Sequence, residues 1–258
     1  MAPRYSICIT HYNNLRTVER SLTSVIDQLD ERFEVVVVDQ RSTDGSLQIL
    51  ERLAREGRIQ LYHQAMHNRG LGRQEAFRES RGEYVIAQVD MDDIYLPVIG
   101  ELVATYERGL SGMVLRVVND QRRGAVTIAP RPFLEGIGGW PDLNFVEDRW
   151  IWGCAVEQGI YRWARYPLYA KITESREKRG FLSRAIRVYG IQRDRARIGA
   201  PLHLSAITWP FYPFSYLAAR SAKRIRREVF SHFWPDDPKF CVDNLVRGED
   251  SPRPQSTS

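Results

Sequence analysis

The sequence predicts an α/β protein with a Rossmann-like, mostly parallel sheet flanked by helices and a helical, aromatic, basic C-terminal extension. Strand and helix patterns alternate without a break from Tyr5 to Val89. The run Val35-Val36-Val37-Val38 has no polar alternation, as expected of a strand covered on both faces. The strands end in Thr10, Asp39 and Asp90, at the sheet edge where open α/β folds bind ligands.

The elements follow in order. Tyr5 to Thr10 is the first strand, broken by His11-Tyr12-Asn13-Asn14. Leu15, Val18, Leu22, Val25, Ile26 and Leu29 recur at helical spacing, with Asn13 or Asn14 as N-cap. Phe33 to Val38 is the second strand, and the turn from Asp39 to Ser46 leads into a helix ending near Arg55. Arg58 to Tyr62, Gly70 to Ser80 and Glu83 to Val89 complete a strand, a helix and a strand. Beyond them come a helix from Pro97 to Arg108 and a hairpin of Met113–Val118 with Ala125–Ile128. A loop or short helix at 130–139, a helix from Glu147 to Gln158, and an extended segment from Tyr161 to Ala170 follow. Arg176 to Ile198 is a basic helical segment, Leu204 to Ala219 is aromatic with prolines, and 248–258 is a disordered tail.

These 258 residues accommodate one large domain with an appendage: 1–170 as the main domain, in halves 1–95 and 96–170, and 171–247 as extension. The net charge is +5, yet 176–230 alone carries thirteen Lys/Arg against three Asp/Glu. That asymmetry points to an anionic partner such as phosphate or lipid headgroups. Cys8, Cys154 and Cys241 form no CxxC, which disfavours a disulfide framework or zinc site and fits a reducing cytoplasm. No leader peptide and no membrane span are expected.

Asp90, Asp92 and Asp93 at a strand tip are hard oxygen donors whose mutual repulsion a divalent cation relieves. The bland alternative is a solvated acidic turn. No GxGxxG and no Walker loop is present, so a nucleotide would be held by other groups.

Five motifs occur in a telling order: Ile9-Thr10-His11-Tyr12-Asn13-Asn14; Val38-Asp39 through Ser46; Asn68-Arg69-Gly70; Arg81-Gly82-Glu83-Tyr84 before Asp90-Met91-Asp92-Asp93; and Gly138-Gly139-Trp140 followed by Glu147-Asp148. Over about residues 4 to 160 the chain resembles the inverting glycosyltransferases of family 2. The resemblance implies a GT-A fold, a UDP- or GDP-linked sugar donor and Mn²⁺ or Mg²⁺ at a DxD motif. It places Thr10, Tyr12 and Asp39 around the nucleobase and ribose, and Arg73 near the donor phosphates or base. Asp90 and Asp92 would form the DxD pair with Asp92 the main metal ligand, assisted by Asp90 or Asp93. Gly139 and Trp140 would face the acceptor, and Asp148, with Glu147 in reserve, would be the general base. Each also has a structural role to fill: Asp39 as a turn former, Trp140 as core, the Glu147-Asp148 pair as helix-start acids, and His11, His63 and His67 as packing or surface residues.

The family's acidic-Gly pair after Asp39 is replaced by Gln40-Arg41, which bears on donor choice or a phosphate contact. QxxRW is absent, with Val146 at the Gln position, so single-sugar, non-processive hexosyl transfer is expected. Tyr169 to Ser175 holds no His to complete a metal site. The aromatic and basic extension suits a peripheral anchor on the cytoplasmic membrane face, with a saccharide or lipid-linked acceptor, or else a packing segment. A nucleotidyltransferase is the competing enzyme class, but Ser6 to Asn14 lacks the glycine and lysine such a loop needs. A non-enzymatic membrane or nucleic-acid module is the third class; no nucleic acid is expected, because no RNA- or DNA-binding signature is present.

Overall fold

The computed structural model describes residues 2–119, 125–172, 181–200, 212–223, 225 and 235–242. Seven strands form one sheet in the order β3-β2-β1-β4-β7-β6-β8. They are β1 Tyr5–His11, β2 Phe33–Asp39, β3 Gln60–His63, β4 Tyr84–Ala87, β6 Val114–Val118, β7 Ala125–Pro130 and β8 Tyr161–Arg165. β1 to β4 run parallel, β7 is antiparallel to β4 and to β6, and β6 is parallel to β8. The expected mostly parallel sheet and the β6–β7 hairpin are therefore present. β5 Asp93–Tyr95 pairs with β9 Tyr169–Ile172 in a small antiparallel ribbon that the sequence did not announce.

Side-chain alternation explains the two cores. Ile7, Ile9, Val35, Val37 and Ile86 point to one face, under α1 (Val18–Ile26), α2 (Ser46–Arg55) and α4 (Ile99–Gly109). Cys8, Val36, Val38, Val85 and Ala87 point to the other, under α3 (Arg69–Glu79), α5 (Arg131–Gly136) and α6 (Glu147–Glu157). The unbroken valine run is thus apolar on both faces because both are covered.

Two boundaries differ from expectation. α1 starts after Thr17, not at Asn13 or Asn14: Asn13 sits at φ 45° and its Oδ1 accepts from Thr43 N at 2.7 Å. Leu15 is accordingly outside the helix and exposed. β4 ends at Ala87, because Gln88 turns to φ 67°. That turn sends the chain out of the sheet toward Asp90.

α3 lies unusually close to its neighbours. A Cβ on Gly70 would fall 2.1 Å from Pro141 O, and one on Gly72 2.7 Å from Thr10 Cγ2 and from Gln40 Nε2. Only glycine permits that approach. Asn68 caps the helix, its side chain accepting from Leu71 N.

The extension packs onto this unit. α7 (Phe181–Arg197) brings Asp194, fully buried, to accept the backbone N–H of Asn144 at 2.9 Å and of Phe145 at 3.0 Å. α8 (Tyr212–Ser221) lies against α7. Residues 235–242 dock on β8, where Tyr161 donates to Pro235 O, Trp163 Nε1 to Asp237 O and Val242 N to Trp163 O. Trp209 and Phe211 of the expected aromatic segment lie outside the described residues, as does the tail at 248–258. No helix among the described residues is long and apolar enough to cross a membrane.

Candidate active site

A cavity of about 490 Å³ opens at the carboxyl ends of the parallel strands. Its wall includes Thr10, His11, Tyr12, Gln40, Arg73, Asp90 and Asp92 from the first half of the chain. Arg116 lines it from β6, Glu147, Asp148 and Trp152 from α6, and Arg187 from α7.

At one end the turn after β4 gathers Asp90, Asp92 and Asp93, each with a carboxylate oxygen within 4.8 Å of the others. Asp90 is exposed to the cavity and Asp93 is buried behind it. Protein enclosing the Asp90 carboxylate raises its pKa; Arg73 opposes the rise and Asp92 adds to it. Three converging carboxylate oxygens are a donor set that suits a hard divalent cation.

Facing them, Arg73 on α3 donates to Glu147 Oε1 at 2.8 Å and also bonds Asp148 Oδ1. Burial lowers the arginine's pKa, but Asp148, Glu147 and Asp90 more than reverse that and keep it charged. Glu147 is 2% exposed, and burial, reinforced by Asp148 and opposed by Arg73, pushes its pKa up to about 7. Asp148 stands at the rim with 21% of its side chain exposed. Both acids open α6, where the helix dipole favours them. Val146 just before them has φ 55°, a region that costs a β-branched residue about 1–3 kcal/mol.

The other end of the cavity is shaped by Thr10, His11, Tyr12 and His67. Tyr12 stacks on His67 with centroids 3.9 Å apart. His11 is buried, its Nε2 2.9 Å from Ser46 Oγ, and its Nδ1 has no partner among the described residues. Burial holds the His11 pKa below its ordinary value against Asp39 and Asp44.

Several expected positions need correction. Asp39 is not on the cavity wall: Ser42 donates to it through Oγ at 2.5 Å and through its backbone N–H at 3.0 Å, an Asx-type turn that uses both oxygens. Its neighbour Gln40 lines the cavity, and Gln40 Nε2 bonds Gln64 Oε1, Met66 O and Asn68 O, bracing the loop into α3. Arg41 is exposed at φ 63°, so this pair serves the loop's shape. Arg73 is engaged with the acids of α6. Gly139 and Trp140 lie away from the cavity; Gly139 packs against Gln74, and Trp140 is 4% exposed with Phe77 edge-on at 6.0 Å. Of the histidines set aside as packing or surface residues, His11 and His67 line the cavity, and His63 is exposed at the end of β3.

Sequence reasoning missed Gln88, Arg116, Trp152 and Arg187. Arg116 left a signal, a charge inside the apolar strand Val114-Leu115-Arg116-Val117-Val118. Gln88 and Trp152 are tied through Thr127, whose Oγ1 donates to Gln88 Oε1 and accepts from Trp152 Nε1 at 3.0 Å.

Residues 6–162 match the family model for glycosyl transferase family 2. The uncharacterized glycosyltransferase YfnE of Bacillus subtilis (strain 168) is 37% identical over 84 residues, 31% of this chain and 21% of its own length. The chain spans less than a third of the length of the curated relatives it matches, from 13% to 30% across the first five. Among solved structures, S. aureus TarS 1-349 superposes with a TM-score of 0.59 at 19% identity, covering 84% of this chain and 73% of that one. The mannosyltransferase PcManGT from Pyrobaculum calidifontis, in complex with GDP-Man and Mn²⁺, gives 0.58 at 22% identity, covering 86% and 77%. These likenesses establish the GT-A fold.

Proposed function

The chain belongs to glycosyltransferase family 2, and on that premise we propose that it moves one hexose, with inversion, from a nucleoside-diphosphate sugar to an acceptor hydroxyl. The observation that carries the proposal is one cavity holding the Asp90–Asp92–Asp93 carboxylates opposite the Arg73-bound pair Glu147–Asp148. Two structural neighbours support the donor class, TarS in complex with UDP-GlcNAc and PcManGT with GDP-Man and Mn²⁺.

In this scheme Thr10, His11, Tyr12 and His67 surround the nucleoside. His11 Nδ1 accepts from a base N–H or a ribose hydroxyl. Asp92 and the cavity-facing Asp90 would hold Mn²⁺ or Mg²⁺, with Asp93 supporting them from behind. The ion, when bound, offsets the negative charge that grows on the departing diphosphate. Asp148 is the general base: Arg73 occupies Oδ1, and Oδ2 is left to take the proton of the attacking hydroxyl. Arg73 and the buried Glu147 fix that carboxylate in place.

Titration of UDP and GDP with and without Mn²⁺, followed by a panel of nucleotide sugars, tests the donor side. Failure of every nucleoside diphosphate to bind in the presence of Mn²⁺ would refute the proposal. The anomeric configuration of the transfer product decides inversion. Exposed Phe181, Leu182 and Ile186 on α7, and Tyr216 and Leu217 on α8, support a membrane-surface position and a lipid-linked acceptor. Flotation with anionic liposomes checks this, and a chain that stays unbound argues against it.

A further inference from the structure

The acceptor end of the cavity carries a second charged group, opposite in sign to the acid cluster. Arg116 on β6 lies across from Thr127 on β7, which lies across from Ala87 on β4. With β7 between them, Arg116 is two strand spacings, about 10 Å, from the strand that delivers the acid cluster. Its guanidinium rests 4.5 Å above the ring of Trp152. Trp152 follows Asp148 by one helical turn on the same face of α6, so Arg116 stands next to the place where an acceptor hydroxyl meets the base.

Arg116 is 9% exposed and lines the cavity, and its buried Nε has no hydrogen-bond partner among the described residues. Its ion-pair partner is Asp236 at 2.5 Å, an aspartate whose side chain is 68% exposed. Arg149 stands behind it, partly buried; burial and the like charge of Arg116 lower its pKa, and the carboxylate offsetting it is again Asp236. Arg187 reaches the cavity from α7 over the ring of Phe145, 5.4 Å away. A fixed, partly desolvated guanidinium with an open donor, a second cation behind and a third across the cavity is an arrangement made for an anion.

We propose that Arg116 and Arg187, backed by Arg149, form an anion subsite beside the general base, and that the acceptor sugar carries a carboxylate or phosphate bound there. This rests on the glycosyltransferase assignment and adds the acceptor's chemical class to it. Asp236 is a resident counter-ion that the incoming anion displaces or shares. The same chemistry could come from a uronate on the donor sugar, and the experiment separates the two sources.

The full chain, first free and then with UDP or GDP and Mn²⁺, is titrated by calorimetry with inorganic phosphate, a neutral hexose, its 6-phosphate and a hexuronate. The anionic sugars are expected to bind and the neutral one not. Arg116→Gln should weaken their binding about tenfold or more, Arg116→Lys less, and Asp236→Asn should tighten it several-fold. Nucleoside-diphosphate affinity should not change in any of these variants. Equal binding of neutral and anionic sugars, or anion affinity indifferent to both Arg116→Gln and Asp236→Asn, overturns the proposal. If Arg116→Gln instead discriminates only a nucleotide-linked hexuronate from its hexose counterpart, the anion belongs to the donor and the acceptor assignment falls. If Arg116→Gln does not fold, the exposed Asp236→Asn still decides by the sign of its effect. A chain that binds anionic sugars but no nucleoside diphosphate refutes the transferase function while leaving the subsite standing.

Discussion

His11 Nε2 donates to Ser46 Oγ at 2.9 Å, because Ser46 has given its single hydroxyl proton to Asp44 Oδ1 at 2.6 Å. Burial would raise the Asp44 pKa, but the bonds from Ser46 Oγ and from the N–H groups of Leu15 and Ser46 outweigh it, so Asp44 is ionised and only accepts. The neutral His11 ring therefore carries its proton on Nε2 and a lone pair on Nδ1.

Nucleoside-diphosphate affinity should thus stay level from pH 8 down through 6.5, because His11 titrates below its ordinary value. It should fall only at lower pH, where a proton on Nδ1 turns the acceptor into a donor. His11→Phe should lose roughly five- to tenfold in affinity, the worth of one hydrogen bond. Calorimetry across pH 5 to 8 reads both effects; a wild-type affinity that declines between pH 8 and 7 would contradict the lowered His11 pKa.

At a hundredfold excess over its dissociation constant, a bound ion adds about 2.7 kcal/mol, a melting shift of roughly 5–10 °C for a chain of this size. Mn²⁺ should produce such a shift in the wild type, and chelation should reverse it. Asp92→Asn should abolish it, and Asp90→Asn should shrink it more than Asp93→Asn, because Asp90 is the one facing the cavity.

Asp148→Asn keeps an oxygen for Arg73 but cannot take a proton. Its kcat should drop by about 10²–10⁴, with donor KM within a few-fold of wild type. A KM that rises in step with the loss of kcat would assign Asp148 to binding instead.

Arg73 and Glu147 are 8% and 3% exposed, a buried pair. Arg73→Met strands two carboxylates and should cost about 3–5 kcal/mol in urea unfolding. Adding Glu147→Gln should recover part of that loss, because one of the stranded charges is then gone. A double mutant less stable than the single would show that the pair is not coupled this way.

Glu147 titrates near 7 in the fold and near 4.5 when unfolded. Between those values the native state holds a proton that the unfolded chain has released, so its contribution falls as pH rises through that window. The melting temperature of the wild type minus that of Glu147→Gln should therefore decrease from pH 4.5 to 7.5. A flat or rising difference would place the Glu147 pKa in the ordinary range.

The sheet was legible because each of its first strands carries its own evidence: the valine run of β2 and the apolar-to-acidic switch after β4 depend on local pattern alone. Asp90, Asp92 and Asp148 were legible for the same reason, since a charged residue at an element's end stands out. The ribbon of β5 and β9 was not, because three and four residues from distant parts of the chain form it. Asp39 was misplaced because a carboxylate at a strand end has two outlets, cavity or turn, and only Ser42 three residues on decides between them. Arg73 was found as a cavity residue, but its bonds to Glu147 and Asp148 were not, since those partners are 74 and 75 residues away. Arg187 and Asp194 sit in a segment whose basic composition suggested a surface, whereas α7 closes over the loop before α6.

Helix α3 fits against Thr10 and Gln40 of the cavity wall at Gly72 and against the loop ahead of α6 at Gly70, with Arg73 between them reaching Asp148. Cavity floor and the Asp148 carboxylate are therefore gauged from one helix, with no room for an added methyl group at either point of contact. A side chain added at Gly72 would therefore press on Thr10 and Gln40 and shift Arg73, and with it the Asp148 carboxylate that Arg73 holds.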